Sequence, residues 1–144
     1  MSAKVRKLLI LSIVSIFVLP LLAACGSKAV DVSLGTPDQT YTMQLAQTSA
    51  KAGEITFHLT NNAASETHEF VIINTDLQAD SLPMNEDGTL VLEDQINAVD
   101  EAEDIEPGDS VDLTVNLPPG HYALICNLEN HYAQGMHADF TVNQ

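Results

Sequence analysis

Four residues in this 144-residue chain have side chains that could bind one transition metal together. Cys126, His131 and Met136 lie in one short stretch with the spacing C-x4-H-x4-M, and His68 lies far upstream. A thiolate and two imidazoles arranged trigonally, with a weak thioether on the axis, form the ligand set of a type 1 copper site. Thiolate and thioether suit Cu(I), whereas imidazoles suit both oxidation states, so the predicted chemistry is reversible one-electron transfer.

Each of these residues alone has a simpler explanation. Met136 could fill a hydrophobic core, and Cys126 could be a small buried apolar residue. His68 could be a hydrogen-bonded histidine at a strand end. The loop spacing favours metal binding, and so does the position of Cys126 at the end of a predicted strand. In the domain that the export signal described below would leave, Cys126 also has no disulfide partner.

The other three histidines are expected to have structural positions. His58 and His121 alternate with apolar residues, which predicts side chains at the surface. His137 follows Met136 and could compete for the metal, but its position favours the start of the last strand.

Apolar and polar residues alternate along much of the chain, which is the period of strands with one buried face. Four segments show it: 40–45, 55–60, 111–117 and 122–126. Residues 70–73 are apolar at every position, which predicts a central strand, and one or two helical turns are possible near 92–99. The sequence therefore predicts an all-β fold, an antiparallel sandwich.

The first 25 residues have the plan of an export signal. Basic residues in 1–7 precede an apolar run over 8–22, which is shorter than the ~20 residues that a membrane-spanning helix needs. Ala23-Ala24-Cys25 then resembles a bacterial lipobox. We predict a signal peptide helix over 1–24, lipidation at Cys25, a tether over 25–37 and a copper-binding domain over 38–144. An uncleaved anchor would also leave the domain outside the cytoplasm.

The predicted location is the outer face of the bacterial cytoplasmic membrane, or a surface facing the periplasm, with the lipid as the membrane contact. Removal of residues 1–24 leaves two lysines against all 20 acidic residues, a formal charge of −18. This charge excludes nucleic-acid binding and predicts redox partner proteins with a basic docking face. Twelve of the acids lie in 76–109, which we interpret as a solvated excursion. We expect a monomer.

The motifs resemble those of the cupredoxins. The segment from Gly120 through Met136, together with the final strand, is similar to their C-terminal half, with a loop spacing like that of sulfocyanin, rusticyanin and auracyanin. Residues 67–72 resemble the first-ligand strand of bacterial sulfocyanin-like copper proteins. The resemblance covers most of 38–144 and implies a Greek-key sandwich with one copper ion at one end. It implies four ligands: His68, Cys126 and His131 in the equatorial plane and Met136 on the axis.

Two positions depart from the cupredoxin pattern. Glu69 replaces an asparagine that, in many cupredoxins, follows the first histidine and braces the two ligand loops. Glu129-Asn130 replaces the Pro-Gly that commonly precedes the loop histidine. Asparagine can adopt the left-handed conformation that glycine would provide, but the loop loses the stiffness of proline.

The function implied by these motifs is that of a membrane-anchored type 1 (blue) copper protein, which transfers single electrons between partners outside the cytoplasmic membrane. The alternative is copper storage, resistance or delivery on the same fold. A metal-free adhesion sandwich would leave Cys126 unexplained. We do not expect an enzyme, because a multicopper oxidase needs further domains and a binuclear copper site needs a second loop thiolate.

Overall fold

The computed structural model describes residues 28–144, with only the backbone of Lys28, so the predicted signal helix and Cys25 lie outside the described residues. Its strands are β1 Lys28–Leu34, β2 Met43–Leu45, β3 Ser49–Lys51, β4 Gly53–Asn61, β5 His68–Asn74, β6 Ala98–Ile105, β7 Ser110–Leu117, β8 Gly120–Ile125 and β9 His137–Asn143. Single 3₁₀ turns lie at Glu93–Gln95 and Tyr132–Gln134. Within residues 28–144, no helix has the length and apolar character to cross a membrane.

The strands form two sheets that pack face to face. One has the order β2-β1-β4-β7 and the other β3-β9-β8-β5-β6. The predicted all-β sandwich is confirmed, but its pairing is not antiparallel throughout, because β1 runs parallel to β4 and β3 runs parallel to β9. The strands β1 and β4 are parallel because the chain reverses its direction twice between them, once between β1 and β2 and again before β4.

Residues 28–34 belong to the sandwich, which corrects the tether predicted over 25–37. They form β1, and its register with β4 runs from Lys28 opposite Ile55 to Leu34 opposite Asn61. The alternating residues Val30 and Val32 are buried in the core between the sheets. Burial of this apolar face gives the segment a fixed place, which a solvated tether would not have.

The five-stranded sheet is covered on both faces. Its inner face packs into the main core, and its outer face packs against residues 75–97, which we call the cover segment. The outer cluster contains Val71, Ile73, Ala123 and Ile125 from the sheet and Ala79, Leu82 and Val91 from the cover segment. Two apolar faces explain why 70–73 is apolar at every position.

The solvated excursion predicted over 76–109 is therefore wrong in two respects. The cover segment buries apolar residues, and residues 98–105 form β6, an edge strand that pairs with β5. Most side chains of β6 are exposed, and Asp100, Glu101 and Glu103 are among them. Charges on an edge strand oppose pairing with another chain, which gives these acids a structural role besides solubility.

Three strand ends meet at one end of the sandwich. Ile125, at the end of β8, lies opposite Val71 of β5 and opposite His137 at the start of β9. His68 begins β5, and the loop from Cys126 to Met136 connects β8 to β9. This topology brings residues that are far apart in sequence to one end of the fold.

Candidate metal centre

His68, Cys126 and His131 converge in a buried cluster, as the sequence predicts. The Nδ1 atoms of the two histidines lie 3.3 Å apart, and the sulfur of Cys126 lies 3.3 Å from Nδ1 of His131 and 4.0 Å from Nδ1 of His68. From these three distances, the point equidistant from the atoms lies about 2.1 Å from each, which is a usual metal–ligand distance for nitrogen and slightly short for sulfur. The donor set and its spacing therefore fit one copper ion.

The protein environment keeps both imidazoles neutral. Burial lowers the pKa of His68 to about 4, with the neighbouring His131 as the second cause and the Thr40 backbone opposing them. Burial also lowers the pKa of His131, against a smaller effect of Glu66. A neutral imidazole has one ring nitrogen free to bind a metal. Both histidines are thus ready for coordination at neutral pH.

The thiol of Cys126 is free, buried and protonated when no metal competes for it. Burial raises its pKa to about 11, although hydrogen bonds from the backbone N–H groups of Glu69 and Leu128 oppose this shift. The N–H of Glu69 lies 3.4 Å from the sulfur. Metal binding must therefore displace the thiol proton, and the two N–H groups are in place to stabilise the resulting thiolate.

Glu69 links the first ligand strand to the ligand loop. Its Oε1 accepts a hydrogen bond of 2.8 Å from the backbone N–H of Asn127, next to Cys126. Burial raises the pKa of Glu69, whereas the Asn127 hydrogen bond lowers it. The carboxylate thus connects the two ligand segments at the position where many cupredoxins have asparagine.

The cover segment holds the ligand loop from outside. The buried amide of Asn127 accepts a hydrogen bond from the N–H of Val91 at 2.7 Å and donates to the carbonyl of Val91 at 3.1 Å and to Glu93 at 2.8 Å. The N–H of Asn130 donates to the carbonyl of Thr89 at 2.9 Å. Asn130 has φ +69°, so asparagine does adopt the left-handed conformation expected before His131. These bonds supply restraint at a loop that lacks proline.

The backbone of Met136 is hydrogen-bonded to two of the three converging residues. It is fully buried, its carbonyl accepts a hydrogen bond of 3.0 Å from the N–H of Cys126, and its own N–H donates to the carbonyl of His131 at 3.2 Å. Its backbone is thereby fixed to both loop ligands. The axial role of its thioether, and the lipidation of Cys25, stay predictions.

The remaining histidines lie away from this centre. His58 is exposed on β4 and pairs with Asp112 at 2.5 Å, and His137 begins β9 as predicted. His121 is half-buried instead of exposed, because its ring nitrogens contact the Thr75 carbonyl at 2.7 Å and the Asp139 carboxylate at 2.9 Å.

Two contacts of the centre escaped the sequence prediction. One is the amide of Asn127, whose only signal in the sequence is its position directly after Cys126 in the motif. The ring of Tyr41 lies 4.9 Å from that of His131, centroid to centroid. Tyr41 is 90 residues from His131, and no local pattern marks it as part of the site.

Comparison with known proteins supports the same centre. The model of the sulfocyanin (SoxE) domain matches residues 18–144 of the chain. No curated protein matches the chain.

Solved structures share the fold. Auracyanin A, a "blue" copper protein from Chloroflexus aurantiacus, is 20% identical over 82% of this chain and 100% of its own, with a TM-score of 0.59. Reduced auracyanin from Roseiflexus castenholzii is 20% identical over 82% of this chain and 98% of its own, with a TM-score of 0.58. Reduced rusticyanin is 19% identical over 80% of this chain and 78% of its own, with a TM-score of 0.62. The family match, the sandwich and the His-Cys-His cluster agree, and the chain belongs to the sulfocyanin family of blue copper cupredoxins.

Proposed function

We propose that this protein is a lipid-anchored carrier of single electrons outside the cytoplasmic membrane, and not an enzyme. The observation that carries the proposal is the preformed ligand set. The fold places the three donor atoms 3.3–4.0 Å apart. A bound copper ion would supply the one-electron redox change. Because the protein fixes the ligand positions, little rearrangement would accompany that change.

His131 offers the shortest route for an electron to the surface. It is 7% exposed, whereas His68, Cys126 and Met136 are each 0% exposed. Ala133 and Gln134, which follow it in the loop, are exposed. We infer that a redox partner docks over this loop and exchanges electrons through the imidazole of His131.

The direction of β1 suggests how the centre faces the membrane. Residue 28 lies at one end of β1 and Leu34 at the other, about 20 Å away at ~3.3 Å per residue. The next residue, Gly35, lies beside His68. Only three peptide steps separate Cys25 from Lys28, a reach of at most about 11 Å. A lipid on Cys25 would therefore hold the opposite end of the sandwich near the membrane and leave the copper end facing outward.

The proposed partner has a basic docking face. Glu66 influences the pKa of His131, and Glu69 lies in the field of Glu93, Glu101 and Glu103. Acidic side chains therefore lie close enough to His131 and Glu69, two residues of the copper end, to affect their pKa values. With a formal charge of −18 after residue 24, the chain would attract a cationic surface and speed the encounter.

Voltammetry of the copper-loaded protein with chelators present tests this function. We expect a reversible one-electron wave, with copper retained through repeated cycles in bicinchoninate, which captures Cu(I), and in EDTA, which captures Cu(II). The buried ligands favour this result, because a chelator has no direct access to them. Release of copper to one chelator after a single change of oxidation state would overturn the carrier function and support storage or delivery instead.

A further inference from the structure

The turn between β1 and β2, residues 35–42, contacts the rings of both histidines of the centre. Gly35 begins the turn with φ +66°, in the left-handed region that favours glycine. A Cβ on Gly35 would lie 2.7 Å from the carbonyl oxygen of Thr40, 2.9 Å from Cβ of Ala63 and 3.2 Å from Nε2 of His68. The turn therefore closes over the Nε2 edge of His68 because this residue has no side chain.

Packing holds that edge of the His68 ring. Its Nε2 atom is buried beside the backbone of Thr40, which raises the pKa of His68, but it forms no hydrogen bond of ordinary geometry with any residue of 28–144. A buried ring nitrogen normally has a hydrogen-bond partner that fixes the ring orientation. Here the close approach of the 35–42 turn supplies that restraint.

The same turn supports the second imidazole. The ring of Tyr41 lies 4.9 Å from that of His131, at an angle of 59°. The ring of His131 in turn lies 5.1 Å from that of His68. Tyr41 is half-buried and also packs against the main core, so its ring has a defined position. The three rings form one contact series from the turn into the centre.

The turn is well held by hydrogen bonds of its own. The N–H of Gly35 donates to the carbonyl of Thr42 at 2.7 Å, and the N–H of Thr36 donates to the carbonyl of Gln39 at 2.9 Å. The hydroxyl of Ser33 donates to the carbonyl of Gly35 at 3.1 Å. These bonds make the turn a firm surface for the rings that it touches.

We propose that the 35–42 turn supports the copper centre in addition to β5 and the ligand loop: Gly35 is a positioning residue for His68, and Tyr41 is a positioning residue for His131. The inference deepens the proposed function and rests on it, because the rings matter as copper ligands. The turn acts by fixing where the two Nδ1 atoms stand relative to the sulfur. Displacement of either ring should change the overlap between thiolate and metal.

The test compares Gly35→Ala and Tyr41→Leu with matched controls. Gly88→Ala and Gly108→Ala introduce the same side chain at glycines with φ +69° and +88°, where a Cβ has nothing within 4 Å. They share the backbone strain of Gly35→Ala but not its contacts. Tyr41→Phe keeps the ring beside His131 and is the conservative partner of Tyr41→Leu.

We expect Gly35→Ala and Tyr41→Leu to shift the intensity ratio of the thiolate-to-copper bands and the reduction potential. We also expect them to lose copper about tenfold faster, which corresponds to about 1.4 kcal/mol. The glycine controls and Tyr41→Phe should keep the wild-type spectrum and potential. If Gly35→Ala does not fold, Tyr41→Leu still decides whether the 35–42 turn positions a ligand ring of the centre.

Spectra, potentials and copper loss equal to those of the controls in the variants that fold would overturn the proposal. A change in one variant alone would overturn the role of the other residue. A wild-type protein with no thiolate-to-copper band would overturn the copper centre itself, and this result is distinct from unchanged variants of a blue protein.

Discussion

Asn127 connects the ligand loop to the cover segment, and its truncation should destabilise both segments. Asn127→Ala removes the amide that satisfies the N–H and the carbonyl of Val91, a residue that is 3% exposed. A buried polar group left without a partner costs about 1–3 kcal/mol. The third partner, Glu93, is exposed and can turn to water. We therefore expect the free energy of unfolding to fall by about 2–6 kcal/mol, which is about 1–3 kcal/mol for each of the two orphaned groups of Val91.

Urea unfolding of the copper-free protein measures this loss without a metal contribution. Asn116→Ala, at an exposed position of β7, is the matched control and should change the free energy of unfolding by less than about 0.5 kcal/mol. Alanine keeps the backbone N–H that donates to Glu69, so any faster copper loss from the copper-loaded variant reports on the cover segment. A destabilisation below about 1 kcal/mol would refute the reasoning, since the buried groups of Val91 would then have found other partners.

Three further predictions concern the loop and the charge. Met136→Leu should retain copper and raise the reduction potential, because any donor atom, even a soft one, stabilises the more highly charged Cu(II) more than Cu(I), and leucine supplies none. Complete loss of copper would show that Met136 is structural or that another residue is axial. Changing Glu129-Asn130 to Pro-Gly should slow copper loss to a chelator about two- to fivefold. Proline lowers the conformational entropy of the unbound loop, which is worth about 0.4–1 kcal/mol. An unchanged rate would mean that the bond from Asn130 to Thr89 already fixes the loop. Rising salt should slow electron exchange with a cationic reagent and speed it with an anionic one, because charge interactions over more than ~10 Å are largely screened at 0.1 M salt. Rates independent of salt would place the acids too far from the centre to act.

The ligand motif and most of the sandwich could be predicted because their signals are local. The spacing from Cys126 to Met136 fits a single loop, and the alternating residues of β4 and β7 show which faces are buried. The convergence of the histidine and cysteine ligands could be predicted from two strand ends alone, one at Cys126 and the other at His68.

The errors have physical causes. Residues 28–34 alternate like any strand, but their position close behind the predicted signal peptide favours a tether. The apolar residues of the cover segment have no regular period, because an irregular segment covers a sheet with isolated contacts. Gly35 and Tyr41 reach the centre through tertiary packing alone. A glycine before a turn has many explanations, and only the neighbouring Thr40, Ala63 and His68 identify its role.

The most direct test of the account is a titration of the wild-type protein and of Cys126→Ser with Cu(II), followed by absorption and electron paramagnetic resonance. We predict that the wild type binds one copper ion and develops an intense blue thiolate-to-copper band with narrow hyperfine splitting. Cys126→Ser should show no such band, because a hydroxyl is a hard ligand of high pKa that cannot reproduce the thiolate. A blue band that survives in Cys126→Ser, or a wild-type protein that stays colourless with bound copper, would contradict the assignment of the centre.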